Sequence, residues 1–397
     1  MGDSSERVNA PVSSKEMARR WAAIREAMRR DRLDVLVLQN NSDSVGGYVK
    51  YVTDLPAGGY GTTVVLPRED EMTVVLHGPA DGDRQLPAEG DGVLRGVKRV
   101  LTSPYVPSVP YTAGAAADLA LRALVGYEVA VIGLVGTAQM SLAFGERLKS
   151  SMPAAAFVEA SELMDRIKAI KSEEEQQLIR ACAHLQDVAM RAAFDAIEPG
   201  MRESEVAAVV KHVGSGLGSE AGIVLVGSGA AGGGWSLGPR HLQNRIIRDG
   251  DMVAILVEIN GPGGLFTELG RTAVLGAVPA RLAEELELVL DAQRFTLERL
   301  APGARCSEVW EQYNAFLVDH GRPAETRFHC HGQGVDLVER PIVRIDETMT
   351  IETGMNITCH PGWLHDGLWS WSCDNYLIGP GGPGECLHAS SPQIFSL

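Results

Sequence analysis

A chain of 397 residues, 45% hydrophobic and 22% charged, is long enough for two domains and has the composition of an ordinary globular protein. Its formal net charge of −15 argues against a nucleic-acid partner, because phosphate binding needs clustered Lys and Arg. No apolar run nears the roughly 20 residues needed to span a bilayer, and Met1-Gly2-Asp3-Ser4-Ser5-Glu6 is too acidic for a secretory leader, so no membrane association and a cytoplasmic location are expected.

The first 160 residues alternate helical and extended patterns. Glu16 to Arg30 reads as an amphipathic helix, followed by the apolar strand Leu33 to Leu38. Thr62 to Leu66 and Met72 to Leu76 read as strands around the charged turn Arg68-Glu69-Asp70. Ala115 to Leu124 suits a helix and Val129 to Leu134 a buried strand, so residues 1–160 are expected to form an α/β domain.

The boundary falls near Ser161 to Ser172. Ser172 and Glu175 match a capping box, which opens a long helix running to about Ile197 and stopped by Pro199-Gly200. A second helix spans Glu203 to Val213, and a short strand, Ile223 to Val226, ends in Gly227-Ser228-Gly229. Met252 to Ile259 and Phe266 to Leu275 flank Asn260-Gly261-Pro262-Gly263-Gly264, a strong hairpin signal. Helices over Ala280 to Leu300 and Ser307 to His320 follow, then strands over Met355 to His360 and Ser370 to Ile378. Residues 161–397 are thus expected to be an α+β domain with helices on one face of a curved antiparallel sheet.

The hairpin carries the sharpest chemical clue. With Gly263 at the apex, Asn260 pairs with Phe266 and Glu258 with Glu268. Opposed side chains lie about 5 Å apart, and like charges there repel. Glu258 also ends a strand that is apolar on both faces, so the pair needs a cation, a shared proton or strong donors. A slip of one residue would send one glutamate to the other face. Among the ten histidines, His241, His331 and His360 stand beside Gly or Pro, and His331 heads His-Gly-Gln-Gly, read as a turn where backbone approaches a ligand. A His-x-x-x-His spacing is absent, so spacing alone does not define a metal site. Of the six cysteines, Cys330, Cys359 and Cys373 fall in the last third; a buried small hydrophobe is the simplest reading of each.

Several segments occur together in a telling order: Asp165-Arg166-Ile167-Lys168-Ala169-Ile170-Lys171-Ser172, Glu198-Pro199-Gly200-Met201-Arg202, Gly250-Asp251-Met252-Val253, Glu268-Leu269-Gly270-Arg271-Thr272, His331-Gly332-Gln333-Gly334, Glu339-Arg340-Pro341 and Thr353-Gly354-Met355. Taken as an ordered set over Ser161 to Ile378, they resemble the creatinase, aminopeptidase P and prolidase family. The resemblance implies an N-terminal α/β domain before a pita-bread catalytic domain, and a homodimer.

Family metallopeptidases hold two divalent ions with two Asp, one His and two Glu. Carried over residue by residue, the first Asp falls on Leu256, with Glu258 two positions on; the second falls on Glu268. The ligand His is kept as His331, the first Glu becomes His360 and the last becomes Cys373, while the family's earlier proton-handling His maps to His241. Two acids do not balance two divalent ions. The resemblance therefore implies a small-molecule hydrolase or lyase that cleaves a C–N or related bond at His241, Glu258, Glu268, His331, His360 and Cys373, on a cationic or amide-like substrate. His241 is the candidate acid/base. A centre without metal is preferred; the alternative is one Zn or Fe ion on Glu258, Glu268, His331 and His360, in a peptidase or a lyase of the dimethylsulfoniopropionate type. A non-catalytic binding protein on the same fold is the reading from a different class.

Overall fold

The computed structural model describes residues 11–40, 47–55, 60–87, 90–237 and 244–397, which divide into two compact units at Lys168/Ala169. The N-terminal unit is built on a seven-stranded mixed sheet. Its strand order is Gly82–Gln85, Val97–Ser103, Met72–His77, Thr62–Pro67, Val35–Asn40, Val131–Val135 and Ala156–Glu159. Val35, Val37, Ile132 and Leu134 on its central strands bury one sheet face against the helices Ala113–Ala123 and Leu142–Ser151. The helix expected from Glu16 begins at Ser14, because Ser13 accepts the Glu16 N–H as its N-cap.

The second unit opens with the capping box read from the sequence. Ser172 Oγ accepts from the Glu175 N–H while Glu175 accepts from the Ser172 N–H, and α1 (Glu173–Ala196) follows. Helix α2 is Glu203–Gly216. Strands β1 (Gly222–Ala230), β2 (Asp251–Ile259) and β3 (Leu269–Val274) form an antiparallel sheet. Strand β1 runs through Gly227 and Gly229 instead of stopping there. The Trp235 ring lies on Gly229, where a Cβ would overlap it, so that glycine serves close packing and not a turn. Val224, Val226, Val253, Ile255, Val257 and Leu269 pack one sheet face against α1 and α2. Each such side chain contributes roughly 1.5–3 kcal/mol of burial. That leaves the opposite face, bearing Leu256, Glu258, Glu268 and Gly270, to a different task.

Helices α3 (Ala280–Leu297) and α4 (Cys306–Asp319) precede β4 (Cys330–Gly332), β5 (Glu339–Ile342) and β6 (Asn356–Cys359). The strand expected over Ser370 to Ile378 is instead two. The first, β8 (Leu368–Trp371), pairs with β7 (Gly362–His365) in a two-stranded ribbon. The second, β9 (Asp374–Gly379), joins β6 and β10 (Gly382–Cys386) in the five-stranded sheet β5-β4-β6-β9-β10. A final strand, β11 (Ile394–Ser396), lies parallel to β3.

The two larger sheets meet at one bridge, Gly270 to Cys373. Arg271 fastens it. Its guanidinium donates to the carbonyls of Gly270 and Cys373 and reaches Asp374 Oδ1 at 2.6 Å, with both side chains only 2% exposed. A buried pair saturated in this way is costly to break, and here it sets how β3 addresses β9.

Candidate active site

The hairpin register places the acids. Leu269 pairs with Val257 and Asn260 with Phe266, so Glu268 stands directly across from Glu258, both buried. The Glu268 N–H donates to Asn375 Oδ1 at 2.7 Å. Asn375 Nδ2 donates to Gln333 Oε1 at 2.8 Å, and Gln333 Nε2 donates to Glu258 Oε1 at 2.8 Å. Asn356 closes the set, accepting from Asn375 and donating to the Gln333 carbonyl. A fully paired amide chain therefore runs from one glutamate to the other, and such networks hold side chains in one geometry.

The imidazoles come from the second sheet. His331 on β4 lies across β6 and β9 from Thr358 and Asn375. Its Nδ1 is 2.9 Å from the Gly332 carbonyl, which can only accept, so Nδ1 carries a hydrogen and the ring orientation is fixed. That Nε2 points at Glu268 Oε2, 3.5 Å away. His360 follows β6 and crosses His331 edge-on with ring centres 5.2 Å apart. Phe328 sets its ring edge-on to both imidazoles, at 5.3 and 5.9 Å, and the exposed Arg327 lies 4.6 Å over that phenyl ring.

Burial, reinforced by the Glu268 charge, raises the Glu258 carboxyl well above its ordinary value, although Gln333 and Arg327 pull the other way. For Glu268, burial also pushes upward, but His360 and His331 outweigh it and hold the group down to about 2. Burial lowers His360 to about 4 against the pull of Glu268, so its ring is neutral near pH 7. Identical residues are thus pushed in opposite directions, Glu258 toward its protonated form and Glu268 toward its ionised form.

Of the residues singled out from sequence, Glu268, His331 and His360 converge, each offering one ligand atom within 4.8 Å of the others. Glu258 is opposite Glu268, yet it stands outside this triplet because its carboxyl is engaged by Gln333. Cys373 is fully buried against the Glu268 carbonyl and Thr358, and burial raises its thiol well above the ordinary value. His241 lies outside the described residues. Of the segment headed by His331, His331 and Gly332 end strand β4, and the chain leaves the strand at Gln333 and bends from Gly334. Sequence reasoning passed over Gln333, Asn356 and Asn375. The signal was present, since Gln333 and Asn375 follow His331 and Cys373 at the period-2 spacing of a strand face.

Two imidazoles and one carboxylate, with ligand atoms within 4.8 Å of one another and one ring fixed by its backbone acceptor, are a donor set suited to Zn²⁺ or Fe²⁺. The next side chains on the hairpin face, Leu256 and Gly270, offer no donor to a second ion.

A family model described as metallopeptidase family M24 matches residues 177–382, which contain this entire cluster. The chain belongs to metallopeptidase family M24. It is 29% identical over 240 residues to an Xaa-Pro dipeptidase of Pyrococcus furiosus, which covers 58% of this chain and 66% of the relative. The chain thus aligns with slightly under two thirds of that relative's length. It is 22% identical over 392 residues to a creatinase of a Bacillus species, covering 90% of this chain and 85% of the relative. The fold matches an X-Pro aminopeptidase of Thermotoga maritima with a TM-score of 0.77 at 16% identity, across 95% of this chain and 99% of the other. The M24 chain therefore has the pita-bread architecture, with an α/β domain ahead of it.

Proposed function

We propose that this M24 protein is a hydrolase that cleaves a C–N bond in a small amide-like substrate. The supporting observation is that Glu268, His331 and His360 converge beside Glu258, which Gln333 holds across the hairpin from Glu268. Glu268, His331 and His360 would hold one divalent ion, zinc or ferrous iron, which when bound supplies Lewis acidity for the attack of water. An ion is preferred to the metal-free centre expected from sequence because Glu268, His331 and His360 each bring one ligand atom to within 4.8 Å of the others.

The rest of the chemistry falls to the chain itself. Glu258 in its ionised form takes the proton released as water attacks the amide carbon, and passes that same proton to the nitrogen as the C–N bond breaks, so one carboxyl serves both transfers and ends as it began. Gln333 holds that carboxyl in place, and Asn375 holds Gln333. Glu268 keeps its negative charge throughout, which favours the protonated form of its neighbour. Arg327 and Phe328 border the imidazoles.

Kinetics on a panel of dipeptides, N-acyl amino acids and amidines test the assignment. Glu258→Gln should lower kcat about 100-fold or more with little change in KM, since general acid–base help is worth roughly that factor. A Glu258→Gln variant that turns over any cleaved substrate at the wild-type kcat removes Glu258 from the reaction.

A further inference from the structure

The ground beside the acid pair is apolar. On the open face of the first sheet, Ile223 on β1 stands directly opposite Glu258, and Leu225 opposite Leu256, which in turn faces Gly270. Gly270 carries no side chain because the Trp371 ring lies where a Cβ would go. Leu256, Trp371 and Cys373 form one cluster, and Ile223, Leu225, Leu237 and Trp369 pack around it while remaining partly exposed. Exposed apolar residues scattered singly need no explanation, but a contiguous patch touching a polar centre does.

Two further atoms point to a ligand. The indole N–H of Trp371, a residue only 6% exposed, and that of Trp369 are both buried without an acceptor among the described residues. A buried donor left unpaired is unfavourable, and a ligand carbonyl oxygen would satisfy it.

We propose that this shelf is the specificity surface of the hydrolase: it receives a branched or aromatic apolar group attached next to the scissile C–N bond, with an indole N–H donating to the substrate's carbonyl oxygen. This rests on the C–N hydrolase reading above and adds to it a substrate class, small amides with an apolar substituent in preference to those bearing an ammonium or guanidinium group. Burying such a group against the shelf favours it over a hydrogen atom by the usual apolar transfer, which is tens-fold for a large side chain.

The test uses N-acetyl-phenylalaninamide, N-acetyl-glycinamide and N-acetyl-lysinamide with the full chain. Binding is followed by calorimetry and by indole emission, and cleavage by amine release. The phenylalanine probe should bind at least ten-fold tighter than either other probe and perturb the emission. Leu225→Lys or Ile223→Lys should erase that advantage without changing the weak binding of the glycine probe. Equal binding of all three probes to wild type overturns the shelf, whether or not the lysine variants fold. So does an advantage that survives both folded variants. If the binding order holds but no probe or other amide is cleaved, the shelf stands and the hydrolase reading falls. If all three are cleaved with equal kcat/KM and bound equally, the reverse is true. A wild-type dimer that Leu225→Lys converts to monomer, with no probe preference, would assign the patch to a second copy of the chain and likewise overturn the proposal.

Discussion

Replacing Glu258 with glutamine removes an ionisable proton while keeping shape, an acceptor for Gln333 and a donor toward Glu268. Opposed carboxylates about 5 Å apart at an effective dielectric of about 20 repel by about 3 kcal/mol, which matches the direction in which Glu258 is shifted. The folded carboxyl binds its proton more tightly than the unfolded one, whose ordinary value is 4.5. Between that value and the raised one, the native chain holds the extra proton, so wild-type stability falls as pH rises, by at most about 1.4 kcal/mol per pH unit. Glu258→Gln lacks this dependence. Its thermal midpoint should match wild type at and below the ordinary carboxyl value of 4.5 and exceed it increasingly as pH rises above that value. The gap should approach about 3 kcal/mol, or roughly 6–12 °C for a unit of this size. Parallel calorimetric scans at stepped pH measure the gap, and the infrared band of a protonated carboxyl should vanish in the variant. A midpoint gap that does not change with pH, or one that favours wild type as pH rises, would refute the shared-proton reasoning.

Arg271→Ala strands Asp374 as a buried unpaired charge at the join of the two sheets and should cost about 3–5 kcal/mol in urea unfolding, whereas Arg271→Lys, which keeps the charge but loses the fork, should cost less. Gln333→Leu removes the hydrogen bond that lowers the Glu258 carboxyl, so the limb of the kcat/KM–pH profile due to Glu258 should move to higher pH; an unmoved limb would separate Glu258 from that limb. Ser172→Ala deletes the cap of α1 and should cost about 1 kcal/mol, with hydrogen exchange increasing first at Glu173 to Gln176.

The hairpin was legible because two independent constraints, a strand apolar on both faces and a glycine-rich turn of fixed length, agree on one register and set Glu258 against Glu268. The capping box was legible for the same reason: Ser172 and Glu175 satisfy each other locally. What escaped depends on contacts far apart in sequence. That both imidazoles meet Glu268 was expected from the family resemblance and from no local pattern, because that meeting is made by the Gly270–Cys373 bridge and by Arg271, which grips β9. The break at Ser372-Cys373 was hidden for a related reason. Trp371 serves a ribbon and Asp374 a different sheet, though both read as one alternating strand. Gln333 and Asn375 were overlooked because an uncharged amide draws attention only once its partners are known.

The most direct measurement is a competitive titration of chelator-stripped protein with Zn²⁺ and Fe²⁺, scored for stoichiometry in wild type, Glu258→Gln, Glu268→Gln and His360→Ala. One ion per chain should bind to wild type and to Glu258→Gln, and should be lost or greatly weakened in the other two variants. Two ions per chain, none, or one that survives both ligand substitutions would contradict a single-ion centre on Glu268, His331 and His360.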